Sequence, residues 1–405
     1  MTKELEGALS GYRILDLTDS RGTFCGRLLG DLGAAVIKIE KPEGGKARSI
    51  PPFAGDDPHP EKSLFFLYRN AGKKGITLNL ETRDGRAIFR KLVEKADVVI
   101  ESNRPGTMKE LGLDYSALKQ INPGLIMASI TDFGQDGPYR NWKSSDLVDM
   151  AMSTAMITSG FPEGKPTAMP GAAGDDSCSL YTATSIVTAL FFRGATGSGQ
   201  YIDASTHETA RLGIYPWGLV MWHSNVEPDK PLPPPEGRMG TMIYPIFPCK
   251  DGYVRVVALT PGQWAGLLRV IGEPEVLCTD EWKEFYYRIG NADALYALML
   301  GFTTEFTMLE LAEMGHREGV PIAPIFDIQG FNNSPQTKAR GFLTEVDHPV
   351  VGKFKCPGPP YNWSETSCKI RSAAPCLGQH NKEIYCDELG YSTLELSAFK
   401  LAGII

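Results

Sequence analysis

Residues 13–40 read RILDLTDSRGTFCGRLLGDLGAAVIKIE. Arg13–Leu17 is a short apolar strand candidate, and Ala35–Ile39 is a second, rich in β-branched residues. Between them Cys25, Leu28, Leu29 and Leu32 fall near helical spacing, so Thr23–Leu32 reads as a helix. Strand, helix and strand in so short a span is the unit that builds parallel sheets.

The alternation continues to about residue 140. Ile76–Leu78 is strand-like, and Asp84–Ala96 is amphipathic with Ile88, Leu92 and Val93 on one face. Asp97–Ile100 and Leu125–Ile130 are further apolar runs. This pattern predicts an α/β fold, a parallel sheet covered by helices, with ligands at the carboxyl ends of its strands. Gly44-Gly45, Asn70 to Gly72 and Asn103 to Gly106 fall where those ends are expected.

The whole chain sets wider bounds. At 405 residues it exceeds one hydrophobic core and predicts two domains. Residues are 42% hydrophobic and 22% charged, which excludes disorder as the default. The net charge is −7 and the 41 basic residues are scattered, so no nucleic-acid footprint appears. Met1 to Gly11 lacks the apolar run of a signal peptide, and no stretch reaches the roughly 18 apolar residues that span a bilayer. A cytoplasmic protein with free thiols is expected. The eight cysteines include no Cys-x-x-Cys pair. Cys376 and His380 lie four apart, but no second close pair completes a metal site, and no metal is expected.

Beyond residue 200 the pattern changes. Pro231–Pro235 is proline-dense and follows the apolar stretch Ile214–Trp222, which places a boundary there. Residues from Tyr244 to Pro324 read as a smaller α+β domain. Its strand candidate is Tyr253–Ala258, and its helical segments are Trp264–Ile271 and Met308–Met314. Pro321–Pro324 reads as a second boundary. The expected division is a large domain over 1–225, a small domain with linkers over 226–325, and a segment over 326–405 returning to the large domain.

Several motifs, in order, resemble the class III CoA-transferase family, also called CaiB/BaiF. They are Arg13–Leu17, Asp31–Glu40 with Pro42, Asn70-Ala71-Gly72-Lys73-Lys74, Ala96–Glu101, Arg104-Pro105-Gly106, Phe133-Gly134 with Gly137-Pro138, and Gly378-Gln379-His380-Asn381. The resemblance implies a Rossmann-like large domain, a smaller domain and an interlocked dimer. It implies transfer of CoA between carboxylic acids, with acyl-CoA as substrate and no tightly bound cofactor. The partner is a second copy or a paralogous subunit. The acids lean toward aryl-substituted ones such as benzylsuccinate or phenyllactate.

The family's nucleophile is an Asp before a small-residue helix ending in Ala-Leu. Gly174-Asp175-Asp176-Ser177 and Ala189-Leu190 match, followed by the turn Thr196-Gly197-Ser198-Gly199-Gln200. Counting back from Leu190 makes Asp175 the nucleophile, with Asp176 as the neighbouring alternative. An Asp at a helix start is ordinarily an N-cap; here Asp176 or Ser177 is expected to cap instead. The family places a Lys near CoA at Lys143 and an acid at Asp146. Related CoA-ester racemases carry a His where this chain has Ser145, and serine cannot abstract a carbon-acid proton without activation. That argues against racemisation. Retention of Asp175 argues against a silent subunit of a heterodimer.

CoA carries phosphates, and the expected contacts are Lys38, Lys41, Lys46 and Arg48, then Asn70 and Lys73, then Ser102, Asn103 and Arg104. Ser102, Asn103 and Glu110 depart from the usual family residues. The glycine-rich lid of the family corresponds to Glu236–Thr241, which has only two glycines, and Arg238 there is a candidate for a second substrate carboxylate. Met221, Trp217, Trp222 and His223 read as core or interface.

Overall fold

A computed structural model describes residues 7–157, 159, 164–213 and 245–405. The expectations for Ile214–Trp222, His223, Pro231–Pro235 and the lid Glu236–Thr241 concern segments outside the described residues. The chain divides into two compact units. One holds residues 1–155, 168–216 and 340–405; the other holds 156–167 and 217–339.

The larger unit is built on six strands. They are β1 (Arg13–Leu17), β2 (Ala35–Glu40), β3 (Lys74–Thr77), β4 (Val98–Glu101), β5 (Ile126–Thr131) and β6 (Tyr201–Ser205). Their order is β3-β2-β1-β4-β5-β6, and every pairing is parallel. Helices α1 (Thr23–Asp31), α2 (Leu64–Arg69), α3 (Arg83–Glu94), α4 (Thr107–Glu110), α5 (Tyr115–Ile121), α6 (Asp146–Met152), α7 (Ala173–Thr196) and α8 (Thr206–Gly213) connect or follow them.

Both faces of the sheet are buried, which is why its strands read as continuous apolar runs. Ile14, Val36, Ile100 and Ile126 pack with Leu29 of α1 and Ile186, Ala189 and Leu190 of α7. Leu15, Ile37, Val99 and Met127 face the other way, against Ile88, Phe89, Leu92 and Val93 of α3. Truncating one of these to alanine costs about 2–5 kcal/mol. Strand order reverses between β1 and β4, the place where open sheets of this kind leave a crevice.

Strand β3 is an edge, and the Gly378–Asn381 motif seals it. His380 Nδ1 accepts from the Gly75 amide at 2.9 Å, and Asn381 Oδ1 accepts from the Thr77 amide at 2.9 Å. The Tyr385 hydroxyl donates to Thr77 O at 2.6 Å. Side chains thus occupy backbone groups that would otherwise template another strand. A Cβ on Gly75 would lie 2.8 Å from Pro375, so this close approach requires glycine.

Two expectations are corrected. Asn70–Gly72 opens β3 rather than closing a strand, because α2 leads directly into it. Pro321–Pro324 is not a linker: Ile322–Pro324 is a strand paired with Gly252–Val256. That pairing keeps the chain in the smaller unit until Ala339, so the return to the larger unit begins at Arg340 rather than at 326.

The smaller unit has a three-stranded antiparallel sheet and helices including Pro261–Val270 and Met308–Glu318. Both helices start with a reciprocal capping box, Thr260 with Gln263 and Thr307 with Glu310. Phe247, Val254, Trp264, Leu267, Leu311 and Ile322 form its core. Among the described residues, no helix is long and apolar enough to cross a membrane.

Candidate active site

Asp175 is the third residue of α7 and is only 5% exposed. Its Oδ1 accepts the Gly22 amide at 2.8 Å, and its Oδ2 lies 3.1 Å from Arg69 Nη1. Gly22 caps α1 with φ of 73°, and a Cβ there would lie 2.8 Å from Ile130. Only glycine turns that amide toward Asp175 without strain. Arg69 ends α2; its guanidinium stacks over Phe65 at 4.5 Å and also reaches Asp176 Oδ1 at 2.5 Å. Burial pushes the Asp175 carboxyl up, the Arg69 charge, the Gly22 amide and the Arg21 charge oppose it, and the result is about 6. Burial raises Asp176 as well.

Neither Asp176 nor Ser177 caps α7. The residue before the helix is Ala172, with no side-chain cap. Instead Asp146 Oδ1 accepts the Asp175 amide at 3.0 Å. An acid from α6 thereby satisfies an orphan donor of α7 and leaves the Asp175 carboxylate free of capping duty. Gly174 makes room: a Cβ there would sit 2.9 Å from Asp146 Oδ1.

Beside this lies a corner of acids around Arg21. Its Nη1 is 2.7 Å from Asp132 Oδ1 and 2.8 Å from Asp149 Oδ2. Ser144 donates its amide to Asp132 at 3.1 Å and its hydroxyl to Asp149 at 2.6 Å. Lys143 next to it is exposed, and its amine has no partner among the described residues. Tyr139 and Trp142, 41% and 54% exposed, pack 4.1 Å apart on the same loop.

The remaining predicted contacts fall into three groups. Lys38, Asn70 and Lys73 are buried and bond protein. Lys38 Nζ donates to Thr18 O and lies 3.7 Å from Asp16, while Lys73 Nζ donates to Asp16 Oδ2 at 2.7 Å and Asn70 Oδ1 at 2.8 Å. Arg48 is also buried, bidentate on Glu40 at 2.8–2.9 Å and 2.7 Å from Glu61. In this arrangement none of the four side chains is presented to a ligand. Lys41 is exposed and pairs with Glu81 at 2.7 Å.

Lys41, Lys46 and Asn103 border a cleft of about 590 Å³ at the carboxyl ends of β1 to β4, with Leu17, Ile39, Leu78, Leu80 and Leu111 as its apolar surface. Ser102 holds the Asp19 amide at 3.2 Å across the switch point. Arg104 lines a neighbouring cavity of about 470 Å³ with Arg140 and Tyr201.

The Cys376–His380 spacing makes no site, because His380 bonds Gly75. Cys376 Sγ lies instead 3.8 Å from His348 Nε2, with Glu61 nearby. His348 Nδ1 accepts two amides, Val350 at 3.2 Å and Val351 at 3.3 Å, which puts the proton on Nε2 and removes the lone pair a metal would need. Sequence reasoning missed Arg21, Gly22, Arg69, Asp132 and Asp149. The Gly22 break before a helix, and Arg69 just before a motif already singled out, were the available signals.

An open parallel sheet with a buried, charge-paired carboxylate near its switch point is the layout of an α/β enzyme. The chain belongs to CoA-transferase family III, whose profile matches residues 9–381, and it is a transferase. It is 35% identical over 343 residues to an acetyl-CoA:oxalate CoA-transferase from Acetobacter aceti, covering 84% of this chain and 86% of that one. It is 29% identical over 407 residues to subunit BbsE of a succinyl-CoA:(R)-benzylsuccinate CoA-transferase from Thauera aromatica, covering 98% of each. The crystal structure of a CaiB/BaiF family protein from Brucella suis is similar with a TM-score of 0.82 and 31% identity, over 94% of this chain and 99% of that one.

Proposed function

We propose that this chain moves CoA from an acyl-CoA donor to a carboxylic acid acceptor, with Asp175 as nucleophile. The observation that carries this reading is the state of that carboxylate. It is buried, held by Gly22 and Arg69, and pushed up to about 6. Such a group is ionised near neutrality yet more basic than an ordinary aspartate, and it is fixed in place for attack.

Asp175 attacks the donor thioester carbonyl, forming a mixed anhydride and expelling CoA thiolate. The thiolate attacks the Asp175 carbonyl, giving an aspartyl-CoA thioester and releasing the donor acid. The acceptor carboxylate attacks that thioester, forming a second anhydride and freeing the thiolate again. The thiolate then takes the acceptor acyl group and restores the Asp175 carboxylate. The Gly22 amide and Arg69 are the donors positioned to stabilise charge on the Asp175 oxygens.

The nucleotide of CoA is assigned to the cleft bordered by Lys41, Lys46 and Asn103, and Lys143 to the CoA side of the reacting centre. Both relatives named above act on dicarboxylic acids, one of them aryl-substituted. The exposed Tyr139–Trp142 pair supports an aryl-substituted acceptor, because a flat ring gains by stacking there. A second copy or a paralogous subunit is assigned to the apolar face of α7, where Leu180, Tyr181, Phe191 and Phe192 are exposed, Phe191 at 83%.

The test is to incubate the protein with acyl-CoA donors, trap with hydroxylamine or borohydride, and map the adduct by peptide mass spectrometry. Modification at Asp175 is expected. An adduct on any other residue overturns the assignment.

A further inference from the structure

Beneath the β1–α1 turn lies a polar cluster that the proposed chemistry does not use. Asp16, Lys73 and Asn70 are fully or almost fully buried, and Lys38 lies beside them. Asp16 and Lys38 are register partners on β1 and β2, pointing to the face that α1 covers. Lys73 Nζ donates to Asp16 Oδ2 at 2.7 Å, to Asn70 Oδ1 at 2.8 Å and to the Thr23 carbonyl at 2.6 Å. The Thr23 hydroxyl donates to Asn70 Oδ1 at 2.8 Å. Asp16 Oδ1 accepts the Thr18 amide at 2.9 Å. Gly26 lets α1 lie directly on the cluster, since a Cβ there would be 2.6 Å from Asp16 Oδ2 and 3.2 Å from Lys73 Nζ.

Burying an ammonium is costly unless its protons are all satisfied. Here they go to three acceptors: two at the ends of one turn, Asp16, which grips Thr18 at its start, and Thr23, which follows its end, and a third, Asn70, beside Arg69. Between the two ends of the turn lies Gly22, whose amide holds Asp175. Arg69, the other partner of Asp175, immediately precedes Asn70. Both donors to the carboxylate are therefore tied to Lys73 through one hydrogen bond and one covalent link, to Thr23 next to Gly22 and to Asn70 next to Arg69.

We infer that Lys73, with Asp16, Asn70 and Thr23, is a positioning device for the reaction, fixing the Gly22 amide and Arg69 on Asp175 rather than binding a CoA phosphate. The inference rests on Asp175 being the nucleophile. Lys73 touches no reacting atom; it acts through the turn. Loosening the turn weakens bonds that favour the ionised carboxylate, so fewer molecules hold Asp175 charged and aimed.

The experiment compares Lys73→Met and Thr23→Val with the unmodified protein and with Asp175→Ala, in steady-state kinetics across pH. Lys73→Met is expected to lower kcat about 10- to 100-fold with KM for acyl-CoA within about twofold. The acid limb of kcat/KM is expected to move up by about half to one pH unit. Thr23→Val, which removes one hydroxyl and keeps the carbonyl, should move both in the same direction by less. If Lys73→Met does not fold, the limb shift in Thr23→Val decides. A large rise in KM with kcat retained would make Lys73 a ligand contact and overturn the inference. Folded variants with unmoved kcat and limb would overturn it too. Full activity in Asp175→Ala would instead remove the nucleophile beneath it, an outcome read on a separate protein.

Discussion

Asp16 and Asp175 are both buried aspartates of the same unit, and they are shifted in opposite directions. Burial raises Asp16, but two ammonium groups, Lys38 and Lys73, and hydrogen bonds from Lys73 and Thr18 outweigh it, so its carboxyl is lowered. Burial raises Asp175 too, and a single guanidinium shared with Asp176, one amide and the more distant Arg21 do not cancel it. The first carboxylate is over-supplied with partners and the second is under-supplied. A surplus of partners makes a charge inert and structural; a deficit leaves it basic, which is what a nucleophile needs.

The largest effect expected from breaking that contrast is kinetic. Asp175→Ala should lower kcat by at least roughly 10⁴-fold while the protein still binds acyl-CoA, read by turnover and by equilibrium binding. Comparable turnover would show that the under-supplied carboxylate is not the nucleophile. Asp16→Asn should act on stability. It leaves Lys73 without its carboxylate in a closed site, and loss of one buried partner costs about 3–5 kcal/mol. The denaturant midpoint measures this, and an unshifted midpoint would contradict the structural role.

Arg69→Met sharpens the contrast from the other side. It removes the one positive charge that, among the described residues, is in direct contact with Asp175, and leaves Asp176 close by. The Asp175 carboxyl should rise further, and the acid limb of kcat/KM should move up by about one to two units. At pH 7 that costs about two- to tenfold in rate and is recovered as pH rises. A pH-independent loss would assign Arg69 to substrate binding instead.

The strands of the larger unit were legible because burial on both faces leaves unbroken β-branched runs such as Ala35–Ile39. Asp175 was singled out through the family resemblance, by its Gly-Asp context and its spacing to Leu190, as a candidate that the structure shows to be buried and charge-paired. Its partners were not, because Gly22 is 153 residues away in the chain and Arg69 is 106 away. Parallel crossovers bring together segments that no local window contains. The same limit explains Lys38, Lys73 and Arg48. Sequence shows that a residue carries charge but not that a strand or helix start turns it inward onto Asp16 or Glu40. It also explains the missing cap: local rules look to Asp176 or Ser177, and the acceptor, Asp146, arrives from another helix.

The smallest effect tests the deficit at Asp175 directly, through stability. Its carboxyl stands at about 6 in the folded protein against an ordinary 3.8. Between those values the folded state holds a proton that the unfolded state has released, so stability falls as pH rises through the window. Below about pH 3.8 both states are protonated and the site carries no penalty. Above about 6 the penalty is complete, of the order of 2–3 kcal/mol. Asp175→Asn removes the charge while keeping a carbonyl oxygen for the Gly22 amide. The variant should therefore match the unmodified protein near pH 3.5 and exceed it by about 1–2 kcal/mol at pH 8, less than the full penalty because Arg69 loses part of its pairing. Urea midpoints at the two pH values give the comparison. A variant that is less stable at pH 8 than at pH 3.5, each relative to the unmodified protein, would mean that Arg69 and Gly22 together satisfy the carboxylate, and Asp175 would then resemble Asp16.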